Sequence, residues 1–463
     1  MTTRFSLVRI VGFLIAVEIA SGILQGYYTP LFTDIARHLA IHDADVNWFE
    51  AFQLIVSALV VPLLARLGDL YGHRRVLLVA TLVTAVASWG VAAAPSFLTF
   101  LVAWSLQGFY VVWLPMEVAI IHQRTRGDER RTRSAAGLLV FFLEAGVIVG
   151  ALTAGALADV LGMFWLLSIP AIAVSLALLA VWFGVPEAPP TGVGNVDWAG
   201  FGVVSAVLCL LMAGLVSLRL AGLGTVWAWL LIAAAILAAV AAARHLLRTP
   251  SPLVDLRIMS APGQREVQVM AFLFGMSVLG AQIPLSTFAR TDPATAGFGL
   301  GATAGSVSII IGAYVLSLAV GALILTSLAR TIGTRWAMTI AGALVAVGYG
   351  LFLGFHATLA QTLTNMVIAG LGSGGLVAML PAAAAALAPP THTGQVTGMT
   401  NTIKTVGGAI ASSVYAIALA SGASGEHHAS LSGYLTVWGI CAASALLGTI
   451  LVATMSQRGT RLR

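Results

Sequence analysis

The chain has one lysine, Lys404, two cysteines and few charges of either sign: Asp, Glu, Lys and Arg make up 9% of its 463 residues, against a hydrophobic share of 59%. So little charge excludes a soluble fold, whose surface draws on roughly a quarter of charged residues. Cys209 and Cys441 both sit within apolar stretches, which excludes a disulfide framework and reads as small-residue packing. The chain lacks a GxxxxGK[ST] phosphate loop, an HExxH pair and a nucleophile elbow, so nothing in it points to ATP hydrolysis, zinc hydrolysis or acyl transfer. No enzyme, cofactor or metal is expected.

What is present is long apolar sequence, with a mean hydropathy of +0.97. Fourteen segments of spanning length centre near residues 18, 56, 85, 109, 145, 173, 208, 234, 277, 315, 345, 372, 407 and 442. At about 20 residues per span they leave only short connections, so the expected fold is an all-helical membrane protein with no separate soluble domain. With a cytoplasmic amino terminus, every arginine except Arg37, Arg219 and Arg290 falls on a cytoplasmic segment. This asymmetry places both termini in the cytoplasm. The net charge of +6 is then a matter of topology and no sign of nucleic-acid binding.

The chain also repeats itself. ARLGDLYGHRR, from Ala65 to Arg75, returns as TSLARTIGTRW from Thr326 to Trp336, aligning Leu67 with Leu328, Gly72 with Gly333 and Arg74 with Arg335. Each copy follows the second span of a six-span half, which divides the chain into residues 1–186, 187–264 and 265–463. The middle portion is a Pro- and Gly-rich linker followed by a two-helix hairpin. Its helices carry almost no charge and read as a peripheral insert.

Ionisable groups inside spans cost at least about 2.5 to 3.5 kcal/mol each at the centre, so they need a partner, a watery cavity or a function. Glu18, Glu50, Glu117 and Glu144 lie in spans of the first half, and Lys404 lies in the thirteenth. A carboxyl in such a place favours its neutral form and can exchange protons near neutral pH. Glu18 shares a helix face with Ser21, Gly22 and Gln25, which marks that face as the lining of a cavity. Glu50, with Gln53 and Ser57, lies about one turn below the outer surface and suits a gate. Glu117 follows Tyr110 and Trp113, an arrangement that suits an organic cation. Glu144 precedes the close-packing glycines Gly146, Gly150 and Gly155. Lys404 sits on a polar face with Thr397, Thr400, Asn401, Thr405 and Gly408, able to pair with a first-half glutamate or to bind an anionic substrate group. Asp69, at the end of the second span, can pair with Arg74, Arg75 or the positive end of a neighbouring helix.

The turn Ala65–Leu67–Asp69–Gly72–His73–Arg74–Arg75 resembles the signature of the major facilitator superfamily, and within it the fourteen-helix drug:proton antiporter family. NVDWAG at Asn195–Gly200 and GMTNTIKTVGGA at Gly398–Ala409 are similar to that family's seventh and thirteenth helices. The resemblance implies two six-helix bundles plus a two-helix insert, and a gate latch at Asp69, Gly72, Arg74 and Arg75. Two family features are absent. Trp104 stands where an Arg linked to proton coupling precedes Gln107–Gly108, and Gly150–Ala151 stands where antiporters have Gly-Pro.

These readings give a secondary exporter in a bacterial inner membrane, exchanging protons for a lipophilic cationic or zwitterionic molecule, as in multidrug efflux and antibiotic resistance. Its partners are the substrate, protons and the lipid bilayer, and a monomer suffices. The Arg-rich, Ala-rich, Lys-poor composition fits a GC-rich bacterium. A metabolite symporter or facilitator, and a receptor or scaffold that has kept a transporter fold, remain open alternatives.

Overall fold

The protein is described from a computed structural model, over residues 7–125, 128–187, 190, 195–250, 252–279, 281–389, 393–421 and 429–454. Arg4, Arg126, the tail arginines and part of the 187–200 linker lie outside the described residues, as do the side chains of Arg130 and Arg133. Among the described residues there is no β-strand. In chain order the long helical segments are α1 (Val8–His38), α2 (Asp43–Tyr71), α3 (His73–Ala92), α4 (Phe97–Arg124), α5 (Ser134–Leu157), α6 (Met163–Gly184), α7 (Trp198–Ala221), α8 (Val226–Arg248), α9 (Gln264–Arg290), α10 (Ala304–Ile332), α11 (Thr334–Leu351), α12 (Leu359–Leu387), α13 (Gln395–Ala420) and α14 (Leu431–Thr454). Thirteen of these are long and apolar enough to cross a membrane. The other, α11, has 18 residues and carries Arg335 and Trp336 in its first turn. At 1.5 Å per residue it still reaches about 27 Å, close to the thickness of a hydrocarbon core.

The helices start where side chains satisfy their first N–H groups. Ser96 opens α4 and Thr358 opens α12, each with a capping box, while the Asp197 carboxylate accepts from the Gly200 amide at 2.7 Å at the head of α7. Three spans are interrupted. In α1 a 3₁₀ turn at Thr29–Leu31 separates Leu7–Tyr27 from Phe32–His38, and in α4 a 3₁₀ stretch at Gly108–Val112 separates Phe97–Gln107 from Trp113–Arg124. The helix of α9 stops at Val278 and resumes at Gln282.

The chain packs as two units. The first holds residues up to 41 together with 60–196 and 303–312, and in it α1 lies along α5 and α6 while α3 packs on α4 and α6. The second holds residues 42–59, 197–302 and 313 onward; here α11 packs on α12 and α14, α9 on α13 and α14, and α7 on α8. Packing thus assigns the first part of α2 and the start of α10 differently from the repeat, because the ends of long helices take neighbours from the other half.

The repeated turn is also a repeat in three dimensions. Gly72 (φ 103°) and Gly333 (φ 87°) occupy the left-handed region that favours glycine, and each begins the following helix. Two residues on, Arg74 donates to the carbonyls of Trp182 (2.9 Å) and Val185 at the end of α6, and Arg335 donates to the Ala453 carbonyl at the end of α14. In each case an arginine from the turn caps the open C-terminus of the last helix of its own half. Replacing either with Gln is expected to cost about 1.5 kcal/mol of stability, read as a lower unfolding midpoint in detergent. An unchanged midpoint for both variants would contradict the capping role.

Candidate transport site

Glu18 lies midway along the helix Leu7–Tyr27, and Glu117 lies one turn after Trp113 on the helix that follows the break in α4. Both side chains are fully buried. The structure brings the two carboxyl groups, 99 positions apart in the chain, within hydrogen-bonding reach of each other. No N–H group reaches any of the four oxygens. Ser21, one turn along α1, offers Glu18 a hydroxyl; a single proton held between the two carboxyls supplies the pair with a further donor. The Trp113 side chain, on the same face of α4 as Glu117, is fully buried and its Nε1 donates to no partner. Tyr110 packs edge-on to Trp113 with ring centroids 6.2 Å apart.

Ten residues away along both α1 and α4 is a polar node that sequence reading did not anticipate. Gln107 Nε2 donates to Tyr28 Oη at 3.1 Å and to Ser88 Oγ at 3.0 Å, joining α4, α1 and α3. Trp104, in the place of the expected arginine, stacks on Phe100 (5.7 Å between centroids) and meets Tyr28 edge-on at 4.6 Å. An aromatic knot thus occupies the position where the family pattern has a fixed positive charge.

The other candidates lie elsewhere on α1 and on other helices. The polar stripe on α1 divides: Gly22 packs against the backbone of α5, Ser21 is buried, and Gln25 is exposed, with its amide 3.4 Å from Ser21 Oγ. Glu144 on α5 is half-buried. In the second unit, Glu50 is half-buried above buried Gln53 and Ser57, and the Ser57 hydroxyl donates to the Gln53 carbonyl. Also in the second unit, Lys404 and Asn401 are half-buried on α13. The Lys404 carbonyl is 1.9 Å from where a Cβ on Gly275 would sit, so α9 and α13 touch backbone to backbone here. Gln268 Nε2 donates to Thr400 Oγ1 across the same seam at 2.8 Å.

The gate turn differs from expectation in its pairing. Asp69 pairs with His73, its carboxylate 3.3 Å from Nε2, while Arg74 and Arg75 both approach Glu187, each at 3.6 Å. The left-handed Gly72 is the reason. It starts a new helix that keeps His73 beneath Asp69 and directs both arginines to the end of α6. His73 is buried and its Nδ1 lies 3.2 Å from Gln123 Nε2, which ties the turn to α4. The signal available in sequence was His73 itself, a titratable residue where the signature has a basic one.

Comparison with known proteins agrees with this architecture. The Major Facilitator Superfamily model matches residues 14–197, and the model described as Sugar (and other) transporter matches residues 268–456. The probable actinorhodin transporter of Streptomyces coelicolor is 27% identical over 370 residues, covering 72% of this chain and 63% of that protein. The multidrug resistance protein B homolog of Mycobacterium tuberculosis is 24% identical over 389 residues, 81% of this chain and 69% of its own length. The crystal structure of an auto-inhibited POT family peptide transporter superposes with a TM-score of 0.69, covering 97% of each chain at 16% identity, a likeness of fold alone. With both halves matched and the fold shared, the chain is a multi-pass membrane protein of the Major Facilitator Superfamily, a family of transporters rather than enzymes.

Proposed function

We propose that the protein is a proton-coupled exporter of lipophilic cationic or zwitterionic molecules, and that the Glu18–Glu117 pair carries the exchanged proton. The observation behind this reading is a buried pair of carboxyls within hydrogen-bonding reach of each other and without an N–H donor. Such a pair gives up its proton most readily to an arriving cation, because the cation neutralises the carboxylates in its place. Trp113 and Tyr110 provide aromatic faces beside it, the surroundings an organic cation favours. Distant relatives are named as a multi-drug resistance efflux pump homolog, a multidrug resistance protein B homolog and a probable actinorhodin transporter, which favours the same reading.

In this account the chain is twelve helices in two bundles plus the α7–α8 insert, working as a monomer in a bacterial inner membrane with both termini in the cytoplasm. Glu144 offers a further proton site, and Lys404 with Asn401 a polar contact on the second half. Gln25 contributes to the substrate path and Glu50 to the gate. The turn holding Asp69, Gly72, Arg74 and Arg75 acts as a latch at the cytoplasmic end, with His73 and Glu187 as the partners that hold it. A second reading, uptake by symport or facilitated diffusion, is favoured by Trp104 and Ala151 in place of the family's Arg and Pro.

The test is movement of a fluorescent lipophilic cation into proteoliposomes with a pH gradient, acid inside. The proposal expects accumulation that disappears when the gradient is collapsed. Equal movement in both conditions would favour the facilitator, and no movement would turn attention to anionic substrates and Lys404.

A further inference from the structure

By its lack of internal charge the α7–α8 hairpin is a peripheral insert, yet the structure ties it to the first repeat. Near the end of α7, Arg219 Nη2 lies 3.0 and 3.1 Å from the two carboxylate oxygens of Asp45. Asp45 belongs to the short 3₁₀ turn Asp43–Val46 that opens α2, 174 positions earlier in the chain. Both side chains are half-buried, which spares the pair the full screening of a surface ion pair. The turn is otherwise held by its own residues: His42 Nδ1 accepts from the Ala44 amide at 3.0 Å, and Asn47 Nδ2 donates to the Ala44 carbonyl at 3.1 Å. Two turns earlier on the same face, α7 packs against α13, where Ser413 Oγ approaches Met212 Sδ at 3.8 Å. The same helix, α13, meets α2 at Leu54, whose Cδ1 is 3.0 Å from where a Cβ on Gly408 would sit. All of these residues belong to the second unit.

We infer that Arg219 and Asp45 form a catch by which the inserted hairpin holds this end of α2 against second-repeat helices, and that the catch releases when this end of the transporter opens. By sequence α2 is a first-repeat helix, and its other end, about 36 Å away along its axis, carries the Asp69 turn. In a carrier that alternates by moving one repeat against the other, contacts between α2 and the second repeat made in one state are broken in the other. The Leu54–Gly408 contact is apolar and short-ranged. The charged pair adds a directional attraction that is strong at 3 Å in a half-buried setting and is lost once water separates the groups. Arg219 is therefore a positioning residue that sets the balance between states without touching substrate. The inference rests on the twelve-plus-two division proposed above and is independent of proton coupling.

The test uses the purified full-length chain in detergent, with Cys209 and Cys441 replaced by alanine and one reporter cysteine at a time reacted with a maleimide. Leu54→Cys reports opening at the Asp45 end. Asn401→Cys, two turns from the start of α13, reports opening at the other end. Arg219→Gln is expected to raise the Leu54→Cys reaction rate about fivefold and to lower the Asn401→Cys rate, since alternating access couples the two ends. Asp45→Asn should do the same, and the double variant should match either single one. Unchanged rates at both reporters, rates that rise together as in a loosened fold, or additive effects in the double variant would each overturn the catch. Because no transport is measured, failure here leaves the proton-coupling account standing, and failure of that account leaves this result interpretable.

Discussion

In Glu117→Gln, accumulation of cation against its gradient falls to the level of liposomes without a pH gradient, while exchange of internal for external substrate continues. Gln keeps the size of the side chain and most of its hydrogen-bonding reach but cannot deliver a proton. One pH unit is worth about 1.4 kcal/mol, roughly a tenfold accumulation for each proton exchanged, and all of it depends on a group that can be protonated on one side and deprotonated on the other. Glu18→Gln should produce the same loss, because a proton shared by two carboxyls belongs to the pair and either substitution removes it. Glu144→Gln is expected to be milder, since Glu144 sits half-buried on α5. Gradient-driven accumulation at the wild-type level in both Glu18→Gln and Glu117→Gln, measured in proteoliposomes, would remove the pair from the mechanism.

Gly22→Val is expected to lower stability by about 3 kcal/mol, the upper end of the range for overpacking a tight interface. A Cβ at Gly22 would lie 2.0 Å from the Leu143 carbonyl oxygen, and one at Gly26 would lie 2.2 Å from that of Val147. From the other side, a Cβ at Gly146 would lie 2.6 Å from the Ile19 carbonyl oxygen. The obstacles are backbone atoms on both helices, so no side-chain rotation relieves them and α1 must move off α5. Within a bilayer such close approach is the main source of helix association, because apolar side chains gain nothing by leaving lipid for one another. Gly12 is the control. It lies on the same helix with nothing within 4 Å of where a Cβ would sit, and Gly12→Ala should stabilise by about 0.5 to 1 kcal/mol through helix propensity alone. Detergent-unfolding midpoints would decide the point, and equal midpoints for Gly22→Val and Gly12→Ala would contradict the seam.

The close-packing glycines of α5, the helix positions and the paired basic turns were legible in sequence because each depends on local pattern, whereas Gly22 read as the lining of a cavity and proved to be the other side of the α1–α5 seam. Apolar run length marks a span, a spacing of four marks a close-packed face, and Gly72 and Gly333 mark a left-handed turn. What sequence could not supply was partnership over distance. Glu18 and Glu117 were visible as costly buried charges, yet nothing in a separation of 99 positions tells that α1 and α4 put them together. Arg219 stood out in sequence only as one of three arginines off the cytoplasmic side, and the structure places it 3.0 Å from Asp45. Asp69 illustrates the same limit at short range. The rule that nearby opposite charges pair pointed to Arg74 or Arg75, but the backbone turn at Gly72 gives Asp69 to His73 and both arginines to Glu187.

The most direct test of the central claim is proton release on substrate binding, measured with a pH-sensitive dye and purified protein in weakly buffered detergent solution. The account predicts release of about one proton for each cation bound by the wild type, and none in the Glu18→Gln/Glu117→Gln double variant. Saturable cation binding by the wild type with no proton release, or equal release by the double variant, would contradict it.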